Sequence, residues 1–315
     1  MDRKGVPDNI EAFFDWQLNN WELAKLNYKQ LEGVKTKEFR FGEFTVKVQF
    51  NPARVQSSTA KTDAASIRER KCFLCPGNLP VEQKGIPLGD KYQILVNPYP
   101  IFPRHFTIPI LEHTPQLIAG RYTDMLKLAE QLDNYIVFYN GPKCGASAPD
   151  HMHFQAALKG YIPITEELTD ARKQIIVRID NSSVYTLSNY LRNVFIIESD
   201  DINNSVGLFE QIYNALKINE GEDEPMINVL SWKDRGSFYT CVFPREKHRP
   251  GCYYAEGEKN LLISPASVDL GGMFIVPFEK DFDKINKPDI IAVLKEVCIN
   301  DEKMQRATRK IMSLL

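Results

Sequence analysis

No stretch of this 315-residue chain is apolar for long enough to cross a membrane, and its opening residues lack the apolar run of a signal peptide. These absences predict a cytoplasmic protein with no membrane partner. Net charge is nearly absent too. The 39 Lys and Arg against 41 Asp and Glu leave −2, so nothing draws the whole molecule to nucleic acid. Cysteine is scarce. Six do not make a disulfide scaffold, and in a reducing compartment they are expected as thiols or metal ligands. Histidine is scarcer still, with five in the chain, and two of them stand two residues apart. The remaining composition, 43% hydrophobic and 25% charged, is that of a globular protein with ample core for one large domain or two ordinary ones.

Periodicity gives the element order. Residues 8–32 read as one amphipathic helix, with Ile10, Phe13, Phe14, Leu18, Trp21, Ala24 and Tyr28 as its stripe and Trp16, Leu23 and Leu26 outside it. "EFRFGEFTVKVQFNP" reads as a hairpin around Gly42, and residues 56–70 as a polar surface loop. "YQILVNPYP" and "HFTIPI" are strands. Thr114 and Pro115 predict the N-cap and first position of a helix through "TPQLIAGRYTDMLKLAEQLDN". The strand "YIVFYN" then leads into the loop "GPKCGASAPD".

The second half repeats this grammar: strands in "SVYTLSNYLRNVFIIES", a helix capped by Asp201 or Asn203, and two strands in "MINVLSWKDRGSFYTCVFPREKHRP". A further strand and two short helices follow. "HFTIPILEHTP" parallels "FYTCVFPREKHRP", and "ASAPDHMHFQAA" parallels "PASVDLGGMFIV". Asp150 then falls on Asp269, His151 on Leu270 and His153 on Gly272, so the second copy keeps a strand and loses its chemistry.

Four groups of residues carry that chemistry. In "HMHFQ", period-2 spacing puts His151, His153 and Gln155 on one face of a strand. The preceding loop offers Gly141 and Gly145 for close backbone approach to an anion, with Lys143 and Ser147 as charge and hydroxyl. A neutral imidazole is a good nucleophile toward phosphorus, and an amide two residues on can steady phosphoryl oxygens. Cys72 and Cys75 form C-x-x-C, which supplies two of the four ligands of a tetrahedral zinc, with His113 and His151 as candidates for the rest. A redox pair is the weaker reading, because no helix starts at the motif. Basic residues that offer charge to an acceptor are Arg104 and His105, and the turn of Arg245, Lys247, His248 and Arg249.

Together, "CFLCPGN", "ILVNPYP", His113 and "HMHFQ" resemble the histidine-triad (HIT-like) superfamily. The nearer likeness is to its transferase branch of galactose-1-phosphate uridylyltransferases, diadenosine tetraphosphate phosphorylases and GDP-hexose phosphorylases. In order the likeness covers roughly residues 36–160, and "LLISPASVDLGGMFIVPFEKDFDKI" resembles the GDP-hexose phosphorylase group. The resemblance implies His153 as nucleophile, Gln155 as phosphoryl partner and Cys72, Cys75, His113 and His151 around zinc. It also implies Asn97, Tyr99 and Asn140 at the nucleotide. The family often separates its serine and histidine by two residues; here three stand between Ser147 and His151. Hydrolases of the superfamily carry a histidine where this chain has Gln155, and glutamine cannot manage protons for water attack.

The expectation is an α+β, HIT-like protein of two related halves, each an antiparallel sheet with helices, the second degenerate. Its parts are an N-terminal helix (1–35), a catalytic half (36–162) and a degenerate half (163–315). Its substrates are a nucleotide sugar or dinucleoside polyphosphate and a phosphate or sugar-phosphate acceptor. The competing readings are a hydrolase of the same nucleotides and a non-catalytic, zinc-stabilised nucleotide-binding protein.

Overall fold

Apolar runs bounded by turns pair into one antiparallel sheet of ten strands, seen in a computed structural model that describes residues 5–60, 62–169 and 172–313. The chain begins with α1 (Ile10–Asn20) and α2 (Glu22–Leu31) and a hairpin of β1 (Lys35–Phe41) and β2 (Phe44–Phe50). Gly42 takes φ 66° in its turn, a conformation glycine adopts without steric cost. Two short helices follow, α3 (Val55–Ser58) and α4 (Ala64–Glu69). The first half of the large sheet is β3 (Gly85–Leu88), β4 (Tyr92–Val96), β5 (His105–Pro109), then α5 (Tyr122–Gln131), then β6 (Tyr135–Asn140) and β7 (His153–Leu158). After α6 (Ile164–Glu167) come β8 (Lys173–Ile179), β9 (Ser182–Leu187), β10 (Phe195–Ser199), α7 (Ile202–Ala215), β11 (Ile227–Asp234) and β12 (Ser237–Pro244). The chain continues through α8 (Gly251–Tyr254), α9 (Ser267–Leu270), β13 (Met273–Val276), α10 (Glu279–Lys284), α11 (Lys287–Val297) and α12 (Asp301–Met312).

Each half is therefore a hairpin, a strand, a helix and a second hairpin. The sheet order is β3-β4-β5-β7-β6-β11-β12-β10-β9-β8, which is the same order read inward from both ends. The halves meet at β6 and β11, where Asn140 pairs with Asn228 and Val137 with Ser231. The inner strands β4, β5 and β6 are buried along their whole length, because both faces of the sheet are covered. On one face α1, α5, α7 and α12 bury Phe13, Met125, Phe209 and Ile311 against it. The Tyr122 and Phe209 rings stack at 4.0 Å and join the two central helices. On the other face lies a three-stranded sheet, β1-β2-β13, in which β13 runs parallel to β2. Its Val48 and Phe274 pack with Phe138 and Leu230 of the large sheet. The end of the chain thus returns to its beginning. Among the described residues no helix is long and apolar enough to cross a membrane.

The α+β class and the two related halves stand as expected, but several elements differ from the sequence reading. Residues 8–32 form two helices. Trp21 breaks them with extended backbone (φ −144°, ψ 98°) and buries its ring. The segment 56–70 contains α3 and α4 rather than only loop, with Lys61 outside the described residues. The helix expected from Thr114 begins only at Tyr122. Its supposed first turn is held extended, because Thr114 O accepts from Met152 N (2.8 Å) and Gln116 N donates to Pro149 O (3.1 Å).

The internal repeat also has a different alignment. The counterpart of β5 is β10, not the 238–250 segment, and the counterpart of the histidine strand β7 is β12. The 266–276 segment, which carries Asp269, Leu270 and Gly272, instead ends in β13 of the other sheet. Short apolar strands ending in charged turns look alike by residue type, and only pairing separates them. The degeneracy holds in the corrected alignment: β12 reads "SFYTCVFP" and has no histidine.

Candidate active site

Four side chains from three segments converge at one end of β7. Cys72 and Cys75 come from the turn after α4, His113 from the loop after β5, and His151 from the residue pair before β7. Their donor atoms all lie within 4.8 Å of one another. Cys72 Sγ is 3.3 Å from His151 Nδ1, Cys75 Sγ is 3.2 Å from His113 Nδ1, and the two Nδ1 atoms are 3.3 Å apart. Tetrahedral zinc bound at about 2.0–2.3 Å sets its donors about 3.3–3.8 Å apart, so the four fit the ion.

The tautomer fits as well. His151 Nε2 is 2.7 Å from Ile110 O; a carbonyl only accepts, so Nε2 carries the proton and the Nδ1 lone pair faces the sulfurs. Without a metal that lone pair takes up a proton instead and donates to Cys72: burial pushes the Cys72 thiol up, but this hydrogen bond and backbone N–H groups bring it down to about 6. Burial and then the Cys72 charge push Cys75 up to about 11. The site alone holds one thiolate comfortably, and a divalent cation removes the penalty on the second.

Beside this cluster a cavity of about 760 Å³ opens onto the face of β7. That volume suits a nucleotide-sized ligand. Asn97, Tyr99, Asn140, Gly145, Ser147, His153 and Gln155 all line it, as the sequence suggested. His153 Nδ1 lies 2.8 Å from the carbonyl of His151 in its own strand. That carbonyl can only accept, so the proton is on Nδ1 and Nε2 keeps its lone pair. Burial pushes His153 down to about 4, so the ring is neutral at neutral pH.

Gln155 is oriented from behind. Ile101 N donates to His105 Nδ1 (3.3 Å), which leaves the His105 proton on Nε2, 2.9 Å from Gln155 Oε1. The Gln155 oxygen is thereby held away from the cavity, and its N–H₂ group is the end left for a ligand. Asn140 has the same logic: its Oδ1 accepts from Asn228 Nδ2 (2.8 Å) and Ser267 N (2.9 Å).

Four of the expected substrate-binding residues lie off the cavity wall. His105 is fully buried behind Gln155. Arg104 pairs with Glu11 and lies over the Phe14 ring. Lys143 points outward and pairs with Glu222. Gly141 is packed beneath the loop, where a Cβ would meet Ile227 O at 2.9 Å. Gly145 is required by the backbone: its φ is 94°, and a Cβ there would meet Ala266 Cβ at 2.7 Å. In the second half's turn, His248 and Arg249 reach the cavity. Arg245 is a buried strut bonded to the carbonyls of Pro265 (2.9 Å) and Val297 (3.1 Å), and Lys247 pairs with Glu296 (2.8 Å).

Two important residues escaped sequence reasoning. Arg54 lines the cavity while Nη1 donates to Tyr99 O (2.7 Å); it follows an Asn-Pro turn that carries no pattern. Gln116 was hidden inside the expected helix. It is fully buried, and its amide spends every hydrogen bond on the site. Oε1 accepts from His153 N (2.8 Å), while Nε2 donates to His153 O (3.1 Å) and Asn140 O (2.9 Å).

The fold and this site define the class: a HIT-like fold of two related halves, with a Cys/His cluster at the start of its histidine strand. More particularly, residues 13–158 match the family model of a domain of unknown function, DUF4922, and residues 166–315 that of the GDPGP1-like C-terminal domain. No curated protein sequence matches the chain. Among solved structures, yeast Ap4A phosphorylase Apa2 superposes with a TM-score of 0.65 at 18% identity, covering 93% of this chain and 98% of that one. Its complex with Ap4A gives 0.57 at 18% (89% and 97% covered), and that with AMP 0.58 at 17% (93% and 97%). At such identities the likeness is one of fold.

Proposed function

We propose that the protein is a nucleotidyltransferase or phosphorylase acting at the α-phosphate of a nucleotide sugar or dinucleoside polyphosphate. The observation that carries this reading is the fixed tautomer of His153, a neutral imidazole whose free Nε2 belongs to a residue lining a nucleotide-sized cavity. In the reaction Nε2 bonds to the α-phosphorus as its bond to the bridging oxygen breaks, and that oxygen leaves with the sugar phosphate of a nucleotide sugar or the nucleoside polyphosphate of a dinucleoside polyphosphate. The Gln155 N–H₂ group donates to a phosphoryl oxygen as charge develops there. The Gly145 loop admits the phosphate chain, with Ser147 as a hydroxyl donor. Arg54 and Arg249 place positive charge on the cavity wall for the acceptor, beside His248, whose burial keeps its imidazole neutral. Phosphate or a sugar phosphate then attacks the nucleotidyl-histidine and restores the imidazole.

The yeast structures supply the supporting analogy, since a protein of this fold is an Ap4A phosphorylase and was solved with Ap4A and with AMP. Zinc, when bound by Cys72, Cys75, His113 and His151, has four protein ligands and supplies structure rather than an open coordination position. The ligand set joins the knuckle and the post-β5 loop to the start of β7, which fixes the approach of His153.

The test is incubation with a panel of nucleotides and nucleotide sugars radiolabelled at the α-phosphate, followed by a denaturing gel. Acid-labile label on the wild type and none on His153→Ala supports the reading. Turnover retained by a folded His153→Ala removes His153 from the role. Consumption independent of phosphate or sugar phosphate points to hydrolysis, and thermal stabilisation by nucleotide without label to a binding protein.

A further inference from the structure

The residues that hold His153 do not end in its own half. Glu224, from the connection between α7 and β11, is buried in the first half's site. Its Oε2 accepts from Ile118 N (2.9 Å), and its Oε1 meets the Tyr139 hydroxyl. Tyr139 OH also lies 3.1 Å from the main-chain carbonyl of Gln116, the residue whose amide clamps both backbone groups of His153. We propose that Glu224 is a positioning residue for the nucleophile, acting through Tyr139 and Gln116 on the His153 backbone. The inference rests on His153 being the nucleophile and goes beyond that reading, because it makes the second half part of the site's working structure.

Proton counting gives the chain two states. A tyrosine hydroxyl has one proton to donate. With Glu224 protonated, Glu224 donates to Tyr139 and Tyr139 donates to Gln116 O, so the chain is complete. With Glu224 ionised, Tyr139 turns its proton to the carboxylate and the Gln116 carbonyl loses that partner. Burial pushes Glu224 up to about 7, its bonds to Tyr139 and Ile118 acting against this. The other groups facing it are Asp223 beside it, Arg121 before α5, Tyr213 on α7 and Cys144 in the glycine loop. The complete chain therefore belongs to the acid side of neutrality. No protein atom of the link touches the cavity, so binding should change less than turnover.

Glu224→Gln is the informative variant, since its N–H₂ donates to Tyr139 at every pH. The ratio of wild-type kcat to that of Glu224→Gln should be near one at about pH 6 and fall about fivefold by about pH 8.5, the effect of one neutral hydrogen bond, with KM little changed. Tyr139→Phe should lack the transition. A flat ratio across that range overturns the proposal. Backbone amide exchange at His153, corrected for intrinsic rate, gives a readout that needs no substrate. Protection in the wild type should fall across the same pH range and hold in Glu224→Gln; protection independent of Glu224 overturns the proposal even if Tyr139→Phe does not fold. If no nucleotide is turned over by any variant, the functional reading fails, while the exchange measurement still decides the link.

Discussion

His105 Nε2 donates to Gln155 Oε1 across 2.9 Å, and the backbone N–H of Ile101 on the other ring nitrogen allows no other arrangement. A histidine expected at the substrate instead orients the Gln155 amide on the cavity wall. Burial, aided by the Arg54 charge, pushes His105 down to about 3. A histidine with a depressed folded pKa contributes stability that is complete above its unfolded value and is lost as pH falls through the folded one. The shift from 6.5 to about 3 corresponds to on the order of 5 kcal/mol. The stability of the wild type should therefore fall steeply between about pH 6.5 and 3. A foldable His105→Gln variant should show a shallower acid limb in urea titrations at stepped pH. An unchanged limb would refute the buried neutral imidazole.

Gln155→His tests the choice between acceptors. A histidine there can shuttle the proton that water must lose, which glutamine cannot. The variant should raise the share of product formed with water, relative to that formed with phosphate, by about tenfold or more. Product ratios in phosphate-containing buffer measure it, and an unaltered ratio counts against Gln155 as the determinant.

Metal analysis should find about one zinc per chain, and none in the double variant Cys72→Ser, Cys75→Ser. Removal by chelator should lower the melting temperature. Amide exchange should rise first in residues 72–78 and 110–118, the segments that carry Cys72, Cys75 and His113. A wild type purified without metal, yet fully protected there, would defeat the assignment.

The Cys/His cluster and the histidine strand were legible because their pattern depends on spacing along the chain. Two residues between cysteines and one between histidines are local facts, and the strand that follows is short and regular. What supports the site was not legible, because it is non-local. Thr114-Pro115 carries a sound helix-start signal, and only the long-range bonds from Met152 and Pro149 overrule it; Gln116 was lost in that misreading. Arg54 and Glu224 reach the site from a turn and a loop in different halves. The repeat was recognised in its order but misaligned, since β12 and β13 offer equally plausible strands until their partners are known.

Gly145→Ala should cost about 1–3 kcal/mol, from a left-handed backbone angle and from contact with Ala266. Ala266→Gly in the same chain should recover the contact part and leave the backbone part, about 1–2 kcal/mol. Thermal melts of the two single variants and the double variant separate these contributions. Strict additivity would show that the two residues do not touch.

Because the sheet reads the same inward from both ends, the molecule has the symmetry of a dimer within one polypeptide. A true homodimer must bear every substitution twice, once in each copy, and each must suit both sites. Joining the copies lifts that constraint. Because β12 carries no histidine, its half is free to serve the needs of its neighbour. A buried acid such as Glu224, useful to one site alone, is an asymmetry that only the linked arrangement permits.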